Sequence, residues 1–451
     1  MNEPVRKLTL LSLAVPILIE QVLRNLMGTV NVFMLGNISD DAVAAVGVAN
    51  QIINVVVIAF TMISAGAAIV INHALGAKEY KEGASISMNA VASAGGLGLL
   101  ASVILLSFAG QFVHMIGLEE TLVPDAVHYL QITGGSAIVL ALSTMMSTVF
   151  RCYGNARIPM AVVILNNILN IAGTSLVVFQ PFEIPLSGVT GVAAVRAISE
   201  FAGLLFQTVM LLRSRLGFRL QDLIRVRFSY VRKIISMGLM SGMEGISYTL
   251  GQVVTTSFLT AFGTVALSAK VYVQNVDYYA YVIGLAIGQA TQIMAGHMIG
   301  AGNLDGAYHF VRHNWRYIAL CNVIFGTSMF VLSPQLMSLF TSDPEIIALA
   351  RWLFLIDIFI HAGRSLNHSF NYGLRSAGYV FWPMVIAVCS IWLCNVGFGY
   401  LFSSVCGLGA VGLWLAQMTD EWVRGLSMMT LWLRKKWAKG LLGKQSTQEP
   451  V

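Results

Sequence analysis

Polar positions interrupt this chain at intervals too wide for a soluble fold. Apolar runs of membrane-spanning length, about twenty residues or more, lie at roughly 8–35, 42–72, 84–109, 126–149, 159–180, 189–212, 235–261, 266–298, 309–333, 346–373, 381–403 and 408–433. Lipid offers a backbone no hydrogen-bond partners, so a spanning segment must be a helix or part of a closed barrel. Barrel strands would alternate in stretches of about ten residues, whereas these runs are long and continuous. The expected fold is all-α: a polytopic membrane protein of twelve transmembrane helices. The first run, from Leu8, is too long for a cleaved signal sequence although Arg6 and Lys7 precede it, so it is expected to remain as the first span.

The charges left between the runs set an orientation. Basic residues gather at Arg6 and Lys7, Lys78 and Lys81, Arg151 and Arg157, then densely from Arg213 through Arg215, Arg219, Arg225, Arg227 and Arg232 to Lys233. They continue at Arg312 and Arg316, at Arg375, and at Arg434, Lys435, Lys436, Lys439 and Lys444. Acids mark the alternate connections: Asp40, Asp41, Glu119, Glu120, Glu183, Asp343 and Glu345, with Arg351 the one base near that side. The positive-inside rule then puts both termini in the cytoplasm, which requires an even number of spans. A cell-membrane location follows as the expectation.

The chain also repeats. GAKEYKEGA (76–84) lies 224 residues before GAGNLDGAY (300–308). The same offset pairs His73 with His297, AVAAVGVANQ (42–51) with ALSAKVYVQN (266–275), RCYGNARIPM (151–160) with RSAGYVFWPM (375–384), and Glu20 with Glu244. Near the end it drifts to 219, where SGVTGVAAV (187–195) meets CGLGAVGLW (406–414). Each repeat holds six spans, an even number, so the halves run the same way across the membrane as parallel repeats. The expected organisation is an N-terminal six-helix lobe (1–212), a basic cytoplasmic connection (213–234), a C-terminal lobe (235–433) and a basic tail (434–451), with the lobes around a central cleft.

Composition agrees. Charged residues make up 11% of the chain, against about a quarter in soluble domains. The net charge of +6 resides in the cytoplasmic connections, where anionic lipid is the partner; no nucleic acid is implied. Five scattered cysteines, Cys152, Cys321, Cys389, Cys394 and Cys406, form no CxxC and read as buried apolar residues, with no disulfide framework or zinc site.

The repeated stretches resemble the MATE family of multidrug and toxic compound extrusion transporters: MLGNISDDAVAAVGVANQ (34–51), the two GA loops, FRCYGNARIPM (150–160), ALSAKVYVQN (266–275), IGQATQIMAGHMIGAG (287–302) and LRSAGYVFWP (374–383). The resemblance covers nearly the whole chain. It implies two six-helix bundles and export of organic, often cationic and amphipathic compounds, driven by an inward-flowing Na⁺ or H⁺. It implies small organic substrates, a coupling cation and the bilayer as partners, a monomer, and no cofactor. Two positions depart from the family pattern. The helix 1 aspartate of many members is Asn31 here, and the acid that some branches carry eleven residues before the Arg of an A-L-R-G-like stretch is Arg364. The choice between Na⁺ and H⁺ stays open.

Charges within the spans are the candidate chemistry, since an ionised group at mid-bilayer costs at least about 2.5 kcal/mol unless it faces a partner or water. The cation-coupling candidates are Glu244, Asp357, Glu20 and Asp277. Arg24, four residues after Glu20, shares its face; Lys270 with Asp277, and Asp357 with Arg364, are seven apart and likewise share faces. A C-terminal network of three acids (Glu244, Asp277, Asp357) and two bases (Lys270, Arg364) is expected, leaving one acid unbalanced. Arg196 and Glu200 read as a structural pair. Candidates for the substrate cavity are Asn31, Asn50, Gln274, Asn275, Tyr278 and Tyr248, the tyrosines offering faces to organic cations. His309 and His313 have no intervening Glu, so no metal site is expected.

Other classes fare worse. A lipid-linked oligosaccharide flippase, the alternative within transport, would want a strongly basic cavity. An ATP-driven pump would need GxxxxGK[ST], and GLLGKQS (440–446) lacks that spacing. No HExxH or nucleophile–base set suggests an enzyme, so no catalytic residue is assigned.

Overall fold

In a computed structural model, residues 8–180, 187–214, 218, 221–224 and 226–438 are described. Among the residues used above to infer orientation, Arg6, Lys7, Glu183, Arg215, Arg219, Arg225, Lys439 and Lys444 lie outside that set, as does the 440–446 stretch. No strand occurs among the described residues.

Helix–helix contacts divide the chain into two units. One comprises the chain to Leu75 and Glu79–Leu239; the other holds Gly76–Lys78 and everything from Met240. The division falls inside a helix, and the basic connection belongs to the first unit.

The first unit contains α1 (Leu10–Gly36), α2 (Asp40–Gly76), α3 (Tyr80–Ile116), α4 (Val123–Gly135), α5 (Ala137–Cys152), α6 (Arg157–Phe179), α7 (Gly188–Arg213), the four-residue α8 (Gln221–Ile224) and the start of α9 (Phe228–Thr260). Thr9 starts α1 through a reciprocal cap with Ser12, which satisfies donors that the first turn leaves free. α4 and α5 are bent by 45° at Ser136 and are together long and apolar enough for one span. α1 packs on α6, α6 on α7, and α3 on α4 and α5.

The second unit contains the rest of α9, then α10 (Gly263–Gly300), α11 (Leu304–Val331), α12 (Ser333–Ser338) and α13 (Pro344–Ser376). α14 (Phe381–Ser390) runs on through a π-helical stretch (Ile391–Gly397), α15 (Phe398–Tyr400) and a second π-helical stretch (Leu401–Val405); α16 (Gly409–Leu433) closes the unit. α13 is its axis, packed against α10, α11 and α16. Pro344 occupies the first turn of α13, where a missing N–H costs nothing, and the Asp343 carboxylate caps it by accepting from the Glu345 N–H at 2.9 Å.

Counting the bent pair as one, nine described helices are long and apolar enough to cross a membrane. The three further long helices, α9, α11 and α16, complete twelve. Each of them carries three charged residues: Arg232, Lys233 and Glu244 on α9, Asp305, Arg312 and Arg316 on α11, Asp420, Glu421 and Arg424 on α16.

The repeat extends into the cores. Ala42, Ala45, Leu105 and Ala126 are buried in one apolar cluster of the first unit. Their counterparts 224 residues on, Ala266, Ala269, Met329 and Ala350, are buried in a cluster of the second.

Candidate functional site: a buried ion network

In the first unit α1 carries Glu20, 1% exposed. Both its oxygens accept from Arg151 Nη2 of α5, each at 2.7 Å. Arg24 adds bonds of 3.0 and 3.3 Å but is half exposed. The sequence assigned Arg151 to a cytoplasmic connection. The structure turns its guanidinium back into the helices to meet the acid, since a buried carboxylate is costly without a hydrogen-bonded countercharge.

The second unit repeats this pair and extends it. Arg375 Nη2 of α13 donates to Glu244 at 2.7 Å. Asn371 donates to the same oxygen at 3.0 Å, and Arg424 Nη1 of α16 reaches the other at 3.3 Å. Arg424 also donates to Asp420 at 2.7 Å and lies 3.3 Å from Glu421. Glu421 accepts from Arg364 Nε at 3.2 Å and from Asn367 at 3.1 Å. Arg364 Nη1 continues to Asp277 at 3.1 Å, whose other oxygen is 2.8 Å from His361 Nε2. Tyr281 places its ring against the Arg364 guanidinium, 5.6 Å from the ring centre.

Asp357 differs. One oxygen accepts from Trp414 Nε1 at 3.0 Å; the other is buried without a partner. No base forms an ion pair with Asp357 among the described residues, although the Asp277 carboxylate and the Arg364 guanidinium both lie near enough to act on it, in opposite senses. Four carboxylates (Glu244, Asp277, Asp420, Glu421) thus share three guanidiniums (Arg364, Arg375, Arg424), and Asp357 is a fifth carboxylate bonded only to Trp414.

The expected network therefore has different membership. Arg364 pairs with Asp277 and Glu421 rather than Asp357. Lys270 is no partner of Asp277: its ammonium donates to the Thr256 hydroxyl. Asp420, Glu421 and Arg424, clustered in TDEWVR, and His361 were missed. α13 carried a signal for this, because Asp357, His361, Arg364, His368, Asn371 and Arg375 recur at alternating spacings of four and three, one face of a helix.

The cavity candidates separate. Asn50 accepts from Arg196 Nη1 at 2.7 Å, and Arg196 also reaches Glu200 at 3.3 Å and the Tyr129 hydroxyl at 3.0 Å, so Asn50 belongs to a paired cluster. Asn275 donates to its own helix at Val271 O, 2.9 Å away. Asn31 is half-buried with its Oδ1 unpartnered. Tyr278 stacks edge-on against Tyr279, Tyr248 is half-buried one turn beyond Glu244, and Gln274 lines a small cavity beside Lys270.

Beyond the repeated Glu244–Arg375 pair, four of these residues occupy positions that are uncharged in the first unit. At the offset of 224, Asp277 corresponds to Ile53, His361 to Ala137, Arg364 to Leu140 and Asp357 to Thr133. The fold does not need charge there.

Two long-helix repeats, each with a buried Glu–Arg pair, one of them with more carboxylates than guanidiniums, are the pattern of a polytopic membrane transporter. The chain belongs to the MatE family, whose model matches residues 16–176 and 241–401, one match in each repeat. An uncharacterized transporter of Bacillus subtilis, YisQ, is 35% identical over 95% of this chain and 94% of its own. A probable multidrug resistance protein NorM of Thermotoga maritima is 27% identical over 95% of this chain and 93% of its own. Among solved structures, a MATE in the bent conformation superposes with a TM-score of 0.87 at 19% identity, covering 97% of this chain and 96% of that one. The Vibrio cholerae MATE transporter VcmN gives 0.87 at 18%, covering 96% and 97%. These structures share the fold.

Proposed function

We propose that the protein is a secondary active antiporter of the multidrug class. It exports organic, cationic, amphipathic compounds in exchange for Na⁺ or H⁺ by alternating access. It works as a monomer in the cell membrane with both termini cytoplasmic. The coupling cation is taken up at Asp357, next to Asp277, while Glu20 and Glu244 are held in ion pairs with arginine. The observation that carries this reading is the buried Asp357 oxygen with no partner, in a network with more carboxylates than guanidiniums. A cation or proton arriving there supplies the missing charge, and such occupancy drives transport when it favours one conformation over another.

The test is dye transport by reconstituted protein, with Na⁺ and H⁺ gradients imposed separately. Wild type should move dye only under one of them. Asp357→Asn, which keeps an oxygen for Trp414, should bind dye yet lose the gradient dependence. Undiminished gradient-driven export by that variant would remove Asp357 from the role. Dye movement without any gradient would reject antiport.

A further inference from the structure

Lys270 stands apart from the network. It lies on α10, 6% exposed, and no carboxylate lies within ion-pair distance of it among the described residues. Its partner is the Thr256 hydroxyl of α9. An ammonium has three N–H donors and no acceptor, so two donors remain. They border a cavity of about 10 Å³ lined by Gln252, Gln274, Asn395, Gln417 and Trp414. Four of these side chains are amides, each with an NH₂ donor and a carbonyl oxygen, so they can turn either end toward an occupant or the ammonium. Trp414 closes one wall, its N–H already committed to Asp357. Asn395 comes from the π-helical stretch Ile391–Gly397, and such widened turns recur at functional sites.

The repeat shows that the fold does not require a lysine. The counterpart of Lys270 is Val46, buried in the apolar core of the first unit. Its neighbours Ala266 and Ala269 keep their alanine counterparts, Ala42 and Ala45. A cation has replaced a core valine without bringing an acid, although burying an unpaired charge is costly.

We propose that this cavity is a binding site for one small monovalent anionic group, a halide or a carboxylate, held by Lys270 Nζ and the surrounding amides. The cavity has room for about one small atom or ion, and Lys270 brings one positive charge, which a chloride or a carboxylate balances, whereas sulfate would bring a second, uncompensated negative charge. The site shares its Trp414 wall with Asp357, so its test reads binding without transport.

The experiment is thermal unfolding of the purified full chain in detergent, with chloride or acetate replacing sulfate at constant ionic strength. A ligand that binds only the folded state raises the midpoint as its concentration exceeds Kd. Wild type should show a saturable rise with chloride, acetate or both; chloride alone marks a halide site, and acetate a carboxylate site. Lys270→Met should fold, given Val46, and lose the rise, while Lys270→Arg should keep it. No rise above sulfate in wild type, or an equal rise in Lys270→Met, overturns the proposal. Bromide in crystals of the wild-type protein gives a check that needs no variant. An anomalous peak beside Lys270 Nζ supports the site, and none there rejects it.

Discussion

Arg151 reaches Glu20 at 2.7 Å in the N-terminal unit, and 224 residues later Arg375 reaches Glu244 at 2.7 Å in the C-terminal one. The same atom, Nη2, makes both contacts. Each pair joins the helix that opens a repeat to the helix end four spans into it. The surroundings differ: Glu20 has the half-exposed Arg24 as its second base, and Glu244 has the buried Arg424.

These pairs should be structural ties. Removing one partner of a buried pair leaves the other uncompensated, at a cost of about 3 kcal/mol. Glu20→Gln and Glu244→Gln should each lower the unfolding midpoint. The doubles Glu20→Gln/Arg151→Met and Glu244→Gln/Arg375→Met should lose less than the sum of their single variants. Additive losses in a double-mutant cycle would show that the pair does not act as a unit.

Asn50 should prove a positioning residue. It receives Arg196 Nη1 at 2.7 Å. Asn50→Ala should cost about 1–3 kcal/mol, because a bond to a charged group is lost. Substrate preference in transport assays should be unchanged. A change in preference at unchanged stability would return Asn50 to the substrate cavity.

Lys78 sits at φ 62° in the GA turn, where its counterpart Gly302 sits at φ 77°. A side chain in the left-handed region costs about 1–2 kcal/mol, which glycine avoids. Lys78→Gly should therefore raise the unfolding midpoint, and Gly302→Ala should lower it.

Gly425 lets α16 approach α13. A Cβ built there would stand 2.7 Å from Gly363 O and 2.8 Å from the Leu366 Cβ, so Gly425→Ala must push the helices apart. A loss of about 1–3 kcal/mol is expected from such overpacking. Gly110→Ala meets nothing within 4 Å and should be neutral or slightly stabilising in the same unfolding assay.

Much of the fold could be read along the chain. Twelve spans followed from run length alone, because lipid leaves the backbone no alternative to a helix. The bend at Ser136 and the π-helical stretches did not follow, since packing sets them. The site was legible in part. The offset that paired Glu20 with Glu244 also paired Arg151 with Arg375, yet both arginines were assigned to connections. Charge counts in connections cannot tell a side chain facing the lipid surface from one folded back onto a buried acid.

Two kinds of information built this protein. Hydrophobic run length, the placement of basic residues and the internal repeat are local or periodic properties, so the chain by itself determined helices, their number and the two-fold plan. Which carboxylate meets which guanidinium depends on distances between helices far apart in sequence. Only packing gave Arg364 to Asp277 and Glu421, left Asp357 with a tryptophan N–H, and put Lys270 beside a hydroxyl. A buried charge is stabilised by what lies within about 4 Å of it, and sequence spacing fixes that distance only within a single helix.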